Sequence, residues 1–506
     1  MMALQQTSAM SLKDLLTGFD VFSSIPDLLV SGMAMDSRLI VQGDLFIACA
    51  GHHQHGLEYA EQAITNGASM IVAEVTSAWL PSDIKQKAQT LPVPVIMMSD
   101  LTEKVSQLAG RFYNYPSRSL CIVGITGTNG KTSCSHFIAS ALRDDCKVGV
   151  MGTLGNGYPG EMKPSTHTTM DPVSVQAQLA VFANEADIVA MEVSSHALKQ
   201  SRVAAVCFDT VVLTNFSRDH LDYHGTMADY AEAKSLLFKM PDVHHAVINA
   251  DDELGRKLIE SLSGTALDII EYGIDFEPSQ SKRFLKASSI TATDHGLEFD
   301  LQTDRGDLTV QLPVLGEFNV MNAMVAMAVM LNKGLSLQEA AGRLAKIEAV
   351  NGRMQLIETA AGIKTLVDFA HTPDALQQLL TSARQHVSGK LICVFGCGGD
   401  RDKGKRPLMA KVAERYADKV FITDDNPRTE NSQDIIQDIL NGFEDAGQVT
   451  VQADRQKAIC EAIAQATTKD LVVVAGKGHE NYQIIGDTKI NFSDQLAVMN
   501  CHGGVQ

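Results

Sequence analysis

The chain has 506 residues, of which 45% are hydrophobic and 20% charged, a composition typical of a globular protein. This length is too great for one hydrophobic core, and about three domains are expected. The net charge of −18 disfavours a nucleic-acid partner, because phosphate backbones are bound by clustered lysine and arginine. No apolar run reaches the roughly 18 residues of a membrane span, and residues 1–13 lack the charged n-region and long apolar core that are typical of a signal peptide. The nine cysteines include no C-x-x-C pair, which predicts reduced thiols in a cytoplasmic protein rather than a disulfide framework or a zinc site.

The first predicted segment contains short strands and a helix between them. Strand-like runs cover residues 44–48 and 69–73, and residues 59–65 favour a helix. The sequence Tyr-Asn-Tyr-Pro-Ser at 113–117 is typical of a turn. Because proline disfavours continuing either a helix or a strand, the first domain is predicted to cover residues 1–115.

A glycine-rich loop follows an apolar run at residues 120–123. Its sequence, Gly-Ile-Thr-Gly-Thr-Asn-Gly-Lys-Thr, occupies residues 124–132 and precedes a helix-compatible stretch at 135–139. Glycines let several backbone N–H groups turn toward one anion, and a helix N-terminus adds positive potential. Lys131 would reach the β- and γ-phosphates, and the Thr132 hydroxyl would bind Mg²⁺. The loop predicts a nucleoside triphosphate site, with a glycine-rich turn that binds nothing as the alternative.

The second predicted segment, residues 116–350, alternates buried strands with helices. Apolar runs at 188–193, 210–213 and 246–248 each end in polar residues. Continuous apolar strands of this kind indicate a parallel sheet covered on both faces. Ligands of such sheets bind at the carboxyl ends of the strands, where the polar residues fall.

Two polar clusters follow these strands. Glu192, in Glu-Val-Ser-Ser-His, could hold Mg²⁺ directly or through water, although helix-capping serines explain the pattern equally well. His220, within residues 214–222, could ligate a second metal, whereas such a cluster alone is more often a polar loop. Lys234 lies on a predicted helix and, by itself, is expected to be a solvated surface lysine.

The third predicted segment, residues 351–506, repeats the strand–helix alternation. Strand-like runs at 391–395, 420–423 and 471–475 lead into three polar loops. These loops cover residues 396–402, 425–428 and 476–480. Because all three follow strands, they should meet at one edge of a sheet and form a site that Arg401, Asp425, Arg428 and Glu480 share. Such a site could hold a molecule with carboxylates and ammonium groups, although each loop alone is equally compatible with a charged turn.

Together, these motifs resemble the Mur ligases, ATP-dependent amide-forming enzymes of peptidoglycan precursor synthesis. The resemblance covers nearly the whole chain, from residues 36–38 to 492–494. Gly-Thr-Asn-Gly-Lys-Thr marks the wider superfamily, which includes folylpolyglutamate synthases, and Glu-Val-Ser-Ser-His, Ser-Arg-Asp-His-Leu-Asp-Tyr-His and Asp-Asn-Pro-Arg are narrower. The resemblance implies an α/β fold of three domains. These are an N-terminal uridine-binding α/β domain (1–115), a central ATP-binding domain with a P-loop-type, mostly parallel sheet (116–350) and a C-terminal Rossmann-like amino-acid-binding α/β domain (351–506).

The resemblance points to the branch that adds meso-2,6-diaminopimelate to UDP-N-acetylmuramoyl-L-alanyl-D-glutamate. It implies ATP as co-substrate, Mg²⁺ as cofactor and an acyl phosphate intermediate. Lys131, Glu192, His220 and Lys234 would be catalytic. Lys234 would be carbamylated and would bind metal with Thr132, Glu192 and His220, which replaces the surface-lysine interpretation. We also expect a cytoplasmic monomer without nucleic-acid or membrane partners.

The resemblance also implies three sets of binding residues. The nucleotide set is Gly127, Thr128, Asn129, Gly130, Lys131, Thr132, Asn319, Arg353 and Asp368. The UDP-substrate set is Ser37, His52, His53, Thr168, Thr169, Ser194, Gln200 and Arg202. The diaminopimelate set is Arg401, Asp425, Asn426, Arg428, Gly476 and Glu480. Arg428 would pair with the distal carboxylate that lysine lacks, so a buried arginine would be left without its anion if lysine bound.

The loop at residues 51–56, Gly-His-His-Gln-His-Gly, departs from the family, which usually carries an acid before the last glycine. Within it, His55 is expected in a solvated loop rather than in a metal cluster. The alternatives at this point are another Mur or folylpolyglutamate-type ligase, a lysine-adding ligase, and a regulatory protein that hydrolyses ATP without joining substrates.

Overall fold

The computed structural model describes residues 9–51, 54–165, 167–278, 283–293, 296–359, 362–445, 447 and 449–501. The chain forms two compact units of α/β structure. The first unit consists of Met1–Thr126, Asp145–Val211 and Ala233–His244, and the second of Gly127–Asp144, Val212–Glu232 and His245–Gln506.

The N-terminal part of the first unit is built on a small parallel sheet. Its elements are β1 (Met10–Ser11), α1 (Leu12–Leu16), β2 (Leu29–Val30), β3 (Met33–Ala34), β4 (Leu45–Ala48), α2 (Ala60–Asn66), β5 (Met70–Val75), α3 (Pro81–Ala88), β6 (Val95–Ser99) and α4 (Leu101–Phe112). Strands β3, β4, β5 and β6 pair in parallel in that order, and the predicted strands and helix of this part are confirmed. Because neighbouring strand residues face opposite sides, Leu45 and Ile47 pack in one apolar cluster and Phe46 in another.

The middle of the chain contributes to both units. Its elements are β7 (Cys121–Thr126), α5 (Lys131–Leu142), β8 (Val148–Gly152), β9 (Gly155–Tyr158), β10 (Glu161–Lys163), α6 (Pro172–Phe182), β11 (Ile188–Glu192), α7 (Ser195–Lys199), β12 (Thr210–Leu213), α8 (Leu221–His224), α9 (Met227–Ser235), β13 (His245–Asn249), α10 (Glu253–Ser261), β14 (Asp268–Gly273), β15 (Arg283–Thr293), β16 (Gly296–Thr303), β17 (Gly306–Leu312), α11 (Phe318–Asn332) and α12 (Leu337–Leu344). In the first unit β11 is parallel to both β7 and β8. In the second unit β13, β14 and β15 are parallel neighbours, so the predicted parallel pairing is confirmed within each unit.

Two antiparallel regions of the middle segment were not predicted. Strand β15 pairs antiparallel with β16, and β16 with β17, in the second unit. Strands β8, β9 and β10 form antiparallel pairs in the first unit. Exposed and buried residues alternate toward the end of β16, as expected for an antiparallel strand with one face toward water.

Local sequence explains where several of these helices start. The Asp171 side chain accepts hydrogen bonds from the backbone N–H groups of Val173 and Ser174, and Pro172 occupies the first helical position of α6. Ser336 and Glu339 form a capping box at the start of α12. Helix α11 is almost entirely buried and packs against α5. Across the described residues, no helix has both the length and the apolar character required to cross a bilayer.

The C-terminal part of the second unit is a six-stranded sheet with helices on both faces. Its elements are β18 (Gln355–Glu358), β19 (Lys364–Asp368), α13 (Pro373–Arg384), β20 (Leu391–Phe395), α14 (Lys405–Tyr416), β21 (Lys419–Ile422), α15 (Ser432–Leu440), β22 (Val449–Val451), α16 (Arg455–Ala464), β23 (Leu471–Ala475), β24 (Tyr482–Ile485), β25 (Thr488–Asn491) and α17 (Asp494–Asn500). The strand order is β18-β19-β23-β20-β21-β22, and only β18 is antiparallel to its neighbour. This arrangement brings the loops after β20, β21 and β23 to one edge of the sheet, as the sequence predicted.

One cysteine pair differs from the expectation of reduced thiols. Cys460 and Cys501 form a disulfide, with their Cα atoms 5.0 Å apart. Packing of α16 against α17 brings these cysteines together although 41 residues separate them in sequence, so spacing alone did not reveal the pair. The prediction is wrong for this pair. The remaining cysteines are free thiols.

Candidate active site

The glycine-rich loop forms a close turn held by the segment after β12. Gly127 has a φ of 147°, and a Cβ there would lie 1.8 Å from the Thr214 hydroxyl oxygen, so only glycine fits. The backbone N–H of Thr128 donates to the Asn215 carbonyl at 2.9 Å, and that of Asn129 donates to the Asn215 side chain at 2.8 Å. Helix α5 starts at Lys131, within the loop sequence, and its N-terminal N–H groups are suited to an anion.

Lys131 places its charge on this loop. Its ammonium donates to the carbonyl oxygens of Gly127 at 2.8 Å and Thr128 at 2.9 Å. The lysine is thus held at the glycine loop, where it would interact with phosphate oxygens.

A cavity of about 250 Å³ adjoins the loop in the second unit. The lining includes Asn129, Gly130 and Thr132 from the loop and Arg353 and Asp368 from the C-terminal part, all five of which are in the predicted nucleotide set. Part of the remaining lining was not predicted: Asn249, Asp251, Ile274, Phe318, Met321, Asn322, Phe369 and Gln378.

Asp368 and Arg353 shape this cavity differently. The Asp368 carboxylate accepts the backbone N–H groups of Met354 and Ala370, both at 2.7 Å, and so fixes the segments on either side. Burial raises the pKa of Asp368. The Arg353 guanidinium lies over the Phe369 ring, 4.4 Å from its centre, and donates to the Thr132 hydroxyl at 3.3 Å.

Asn319 lies behind the cavity rather than in its lining. Its side-chain amide donates to the Leu315 carbonyl at 2.7 Å, and its side-chain oxygen accepts from Asn322 at 2.9 Å. Asn322 is the member of this pair that reaches the cavity. The two asparagines are one helical turn apart on α11, so the sequence motif marked the turn but not the side chain that lines the cavity.

Glu192 lies at the end of β11 in the first unit and is 1% exposed. Its carboxylate accepts from the backbone N–H and the hydroxyl of Thr153, both at 3.0 Å. The Thr153 hydroxyl also contacts the Thr168 hydroxyl at 3.0 Å, and Thr169 donates to the Glu192 carbonyl at 2.9 Å. The Ser194 side chain caps α7, as the helix-capping interpretation of this cluster required.

The first unit contains a separate cavity of about 840 Å³. Of the predicted UDP-substrate residues, Ser37, Gln200 and Arg202 line it. Arg202 donates to the Thr169 carbonyl at 2.8 Å and to the Gln200 side chain, which connects the cavity to the threonines beside Glu192. Other lining residues, including Asn156, His167 and Asp171, were not predicted. His52 and His53 fall outside the described residues.

His55 is not the solvated residue that the sequence suggested. It is 4% exposed, and its ring lies 4.8 Å from that of Trp79. Nε2 lies 2.8 Å from the Glu74 carbonyl, and Nδ1 accepts from the Leu57 backbone N–H at 3.0 Å. The expectation of a solvated loop is wrong for His55, because both ring nitrogens have protein partners in a buried position.

The surface-lysine interpretation of Lys234 is also wrong. The residue lies on α9, as predicted, but it is only 1% exposed. Lysine is almost never fully buried unless it is paired.

His220 belongs to a charged group in the second unit. Nε2 of His220 lies 3.5 Å from the Asp219 carboxylate, and Nε2 of His371 lies 3.8 Å from it. Burial alone would raise the pKa of Asp219, but the neighbouring His371 and His220 and the charge of Lys405 hold it well below its ordinary value. Asp219 therefore carries a negative charge that orients both histidines.

A cavity of about 130 Å³ contains this group and most of the predicted diaminopimelate residues. Arg401, Asp425, Gly476 and Glu480 line it together with Asp219, His220, His371, Gly398, Asp402 and Lys405. Asn426 lies beside the cavity and donates to Glu480 at 3.0 Å. Lys477, which was not predicted, is completely buried and donates to both Asn426 and Glu480, at 3.1 and 2.7 Å.

Arg428 lies next to this cavity rather than in its lining. Nη1 of Arg428 donates to the Gly399 carbonyl at 2.8 Å. A Cβ on the cavity residue Gly398 would lie 2.9 Å from the same nitrogen. Burial and the charge of Arg401 lower the pKa of Arg428. The carboxylates of Asp425 and Glu480 act in the opposite direction. Two neighbouring arginines are suited to an anionic ligand group.

Comparison with known proteins identifies the family. Family models described as "Mur ligase family, catalytic domain", "Mur ligase middle domain" and "Mur ligase, glutamate ligase domain" match residues 29–113, 125–330 and 352–478. A UDP-N-acetylmuramoyl-L-alanyl-D-glutamate–2,6-diaminopimelate ligase of Coxiella burnetii (strain RSA 493 / Nine Mile phase I) is 43% identical over 470 residues, which cover 92% of this chain and 94% of the relative. The chain belongs to the Mur ligase family.

Solved structures agree with this family assignment. A UDP-N-acetylmuramoyl-L-alanyl-D-glutamate–2,6-diaminopimelate ligase matches with a TM-score of 0.65 and 33% identity, covering 98% of this Mur ligase and 99% of that chain. MurF from Acinetobacter baumannii matches with a TM-score of 0.66 at 17% identity, over 93% of this chain and 96% of that one, and shows a shared fold. The three-domain α/β architecture implied by the sequence is thus that of the family.

Proposed function

We propose that this chain is an ATP-dependent ligase that joins meso-2,6-diaminopimelate to the D-glutamyl carboxylate of UDP-N-acetylmuramoyl-L-alanyl-D-glutamate, in peptidoglycan precursor synthesis. The observation that carries the proposal lies in the second unit. Phe369 lines both the 250 Å³ cavity beside the phosphate loop and the 130 Å³ cavity with the acidic and basic residues. A triphosphate and an amino-acid acceptor bound in these cavities would be neighbours, as amide formation requires. The relatives named for this reaction support the choice of substrates.

ATP would bind at the glycine loop and in the 250 Å³ cavity. Backbone N–H groups of the loop and the α5 N-terminus would hold the phosphates, and Lys131 and Arg353 would offset their charge. Asn129 supports this geometry because its side chain donates to Asp374 at 3.3 Å, which joins the loop to the start of α13.

The reaction would proceed in two steps. A glutamyl carboxylate oxygen attacks the γ-phosphorus of ATP, and the bond between the γ-phosphorus and its bridging oxygen breaks. ADP departs, and the glutamyl carboxylate has become an acyl phosphate. The acceptor amine then attacks the acyl carbon, and the tetrahedral intermediate expels phosphate, which takes up the proton that the amine loses. Lys131 would stabilise negative charge in both steps, since a fixed cation in a site with little water acts on charge as it develops.

Mg²⁺ suits the donor set of this chain. Thr132 and Glu192 offer oxygen ligands, which Mg²⁺ prefers, and His220 would hold a second ion. Among the described residues no three His, Cys, Asp or Glu side chains group as a metal site. Carbamylation of the buried Lys234, which the family pattern implies, would add a further carboxylate. When bound, Mg²⁺ neutralises phosphate charge and polarises the phosphoryl group that is transferred.

The UDP-linked substrate would occupy the 840 Å³ cavity of the first unit. Ser37, Gln200 and Arg202 would contact it directly, and Arg202 offers a cation for a phosphate or carboxylate. Thr168, Thr169 and Ser194 would act beside it through the hydrogen bonds to Arg202 and Glu192. We assign His52 and His53 to the same substrate from the family pattern.

Diaminopimelate would bind in the 130 Å³ cavity. Its distal carboxylate would pair with Arg428 and Arg401, and Asp425 and Glu480 would accept from its ammonium groups. Asn426 and Gly476 would border the same end of the molecule. Lysine lacks the distal carboxylate, so it would leave the arginines without an anion.

We further propose that the enzyme acts as a cytoplasmic monomer with domains at residues 1–115, 116–350 and 351–506. The three family models fall within these ranges. The net charge of −18 argues against nucleic acid as a partner.

The function is tested by measuring ADP release from purified protein with Mg²⁺ and ATP. We expect rapid release only when both the UDP-linked dipeptide and diaminopimelate are present, with one amide product formed for each ADP. Rapid ADP release without either substrate would instead support an ATP-hydrolysing regulatory protein.

A further inference from the structure

Arg406, on α14, is a fully buried arginine with no role in the proposed chemistry. Its guanidinium side chain is 0% exposed. It donates to both Glu430 oxygens, at 2.9 and 3.0 Å, to Asp438 at 2.8 Å and to the Gly398 carbonyl at 3.3 Å. The planar fork of arginine makes this possible, because it can bind one carboxylate with two hydrogen bonds and still donate on its other edges.

Glu430 extends this contact to two loops of the acceptor region. One of its oxygens accepts the backbone N–H of Asp400 at 2.6 Å, and Lys403 forms an ion pair with it at 3.1 Å. The Asp400 carboxylate in turn accepts from the backbone N–H of Thr429 at 3.2 Å and from its hydroxyl at 2.9 Å. The loop after β20 and the loop after β21 are therefore tied together by reciprocal hydrogen bonds.

These contacts act on the position of Arg428. Asp400 and Arg428 both have a φ of 53°, a left-handed backbone conformation that residues other than glycine rarely adopt. Such a backbone persists only where its surroundings hold it firmly. Here the Arg428 side chain donates to Gly399, and its backbone N–H donates to Ile484 of β24 at 3.1 Å.

We propose that Arg406, Glu430 and Asp400 are positioning residues for the amino-acid acceptor, which hold Arg428 beside the acceptor cavity without touching the ligand. The proposal rests on the function proposed above, in which Arg428 binds the distal carboxylate. A guanidinium that is fixed before binding loses little conformational freedom when the carboxylate arrives. Because this carboxylate is remote from the reacting amine, its binding energy is the same in the ground and transition states and affects KM rather than kcat.

The test is a kinetic double-mutant cycle with Glu430→Gln and Arg428→Ala in the full-length enzyme. In Glu430→Gln, an amide N–H donor replaces one carboxylate oxygen and would face the donors of Arg406. The hydrogen bonds between the loop after β20 and the loop after β21 would therefore be disrupted. We expect the diaminopimelate KM to rise about 10-fold, with KM for ATP and for the UDP-linked substrate within about twofold of the wild-type values. In the Arg428→Ala background, Glu430→Gln should add less than about twofold, because both changes act through the same arginine.

Two further variants keep the test decisive. Thr429→Val removes the hydroxyl that donates to Asp400, and it lies at an exposed position, so the variant should fold even if Glu430→Gln folds poorly. It should raise the diaminopimelate KM to a smaller degree. Glu414→Gln is the matched control, since Glu414 also accepts backbone N–H groups, of Glu444 and Asp445, away from the cavity. It should leave all three KM values unchanged.

Several outcomes would overturn the positioning role. These are an unchanged diaminopimelate KM in Glu430→Gln and Thr429→Val, an equal rise in all three KM values, or a full additional effect of Glu430→Gln in the Arg428→Ala background. Failure of the proposed function is distinguishable, because it would appear in the wild-type enzyme as a lack of diaminopimelate-dependent turnover.

Discussion

The guanidinium of Arg353 donates to the hydroxyl of Thr132 at 3.3 Å, although 221 residues separate the two in sequence. Thr132 ends the glycine loop, and Arg353 opens the C-terminal part of the second unit. Both line the 250 Å³ cavity. The contact joins Thr132, which is proposed to bind Mg²⁺, to Arg353, which is proposed to bind phosphate. ATP bound in this cavity would therefore interact with both residues.

Replacing Arg353 by alanine should weaken ATP binding specifically. Loss of a charged hydrogen bond costs about 1.5–3 kcal/mol, which corresponds to a rise of about 10- to 100-fold in the ATP KM. The diaminopimelate KM should change much less. Arg143→Ala is a suitable control, because Arg143 forms an exposed ion pair with Glu348 outside the cavities. Steady-state kinetics with each substrate varied in turn measures both effects, and equal changes in both KM values would remove Arg353 from the nucleotide site.

Lys234→Ala should reduce turnover severely, because the variant cannot carry the carbamate proposed to bind metal. Short carboxylates such as acetate or formate should partly restore activity by supplying the missing oxygen ligand. Lys239→Ala, at the end of the same chain segment, should retain activity and gain nothing from added carboxylate. Initial rates with and without carboxylate provide the measurement. Wild-type activity in Lys234→Ala would contradict a metal-ligand role.

Arg428→Ala should raise the diaminopimelate KM by about 10-fold or more, since a charged hydrogen bond to the distal carboxylate is lost. The ATP KM should stay near the wild-type value. Arg415, which stacks on Tyr416 5.4 Å from the ring centre, provides the matched arginine-to-alanine control. If the KM values for ATP and diaminopimelate rose equally, Arg428 would not belong to the acceptor site.

His479 should make stability depend on pH. Burial, together with the charges of Arg353, His136 and Lys477, lowers the pKa of His479 from 6.5 to about 3. Below pH 6.5 the unfolded chain therefore binds a proton that the folded chain refuses, and stability falls as the pH decreases toward 3. At pH 5 the loss from this residue should be about 2 kcal/mol relative to pH 7.

Calorimetric melting of the wild type and of His479→Phe at pH 7 and pH 5 checks this prediction. The wild type should lose more stability than the variant, which retains an aromatic ring beside Phe369 but cannot take up a proton. His244→Gln, at an exposed position, should behave like the wild type. Equal losses in the wild type and in His479→Phe would show that His479 does not cause the pH dependence.

The sequence predicted the parallel strands well because their apolar runs are continuous and end in recognisable loops. Strands β7, β11 and β20 are examples, each buried along nearly its whole length. The antiparallel strands β15 and β16 escaped prediction because their half-exposed residues lack a long apolar run. The disulfide between Cys460 and Cys501 depends on helix packing, which spacing does not encode.

The positions of candidate site residues were predictable where a motif fixes the backbone. Gly127 and Asp425 are in this class, because a close turn or a strand end determines their place. The burial of His55 and Lys234 was not predictable, since it depends on neighbours distant in sequence. Lys477 and Arg406 were missed for the same reason: a buried cation looks like a surface cation until its carboxylate partners are located.

The most direct test of the account compares diaminopimelate, lysine and ornithine as acceptors in one assay, with saturating ATP, Mg²⁺ and the UDP-linked dipeptide. We expect kcat/KM for diaminopimelate to exceed that for lysine by about 100-fold or more, because only diaminopimelate supplies an anion to Arg428. In Arg428→Ala this ratio should fall sharply. Equal use of the three acceptors by the wild-type enzyme would contradict the account.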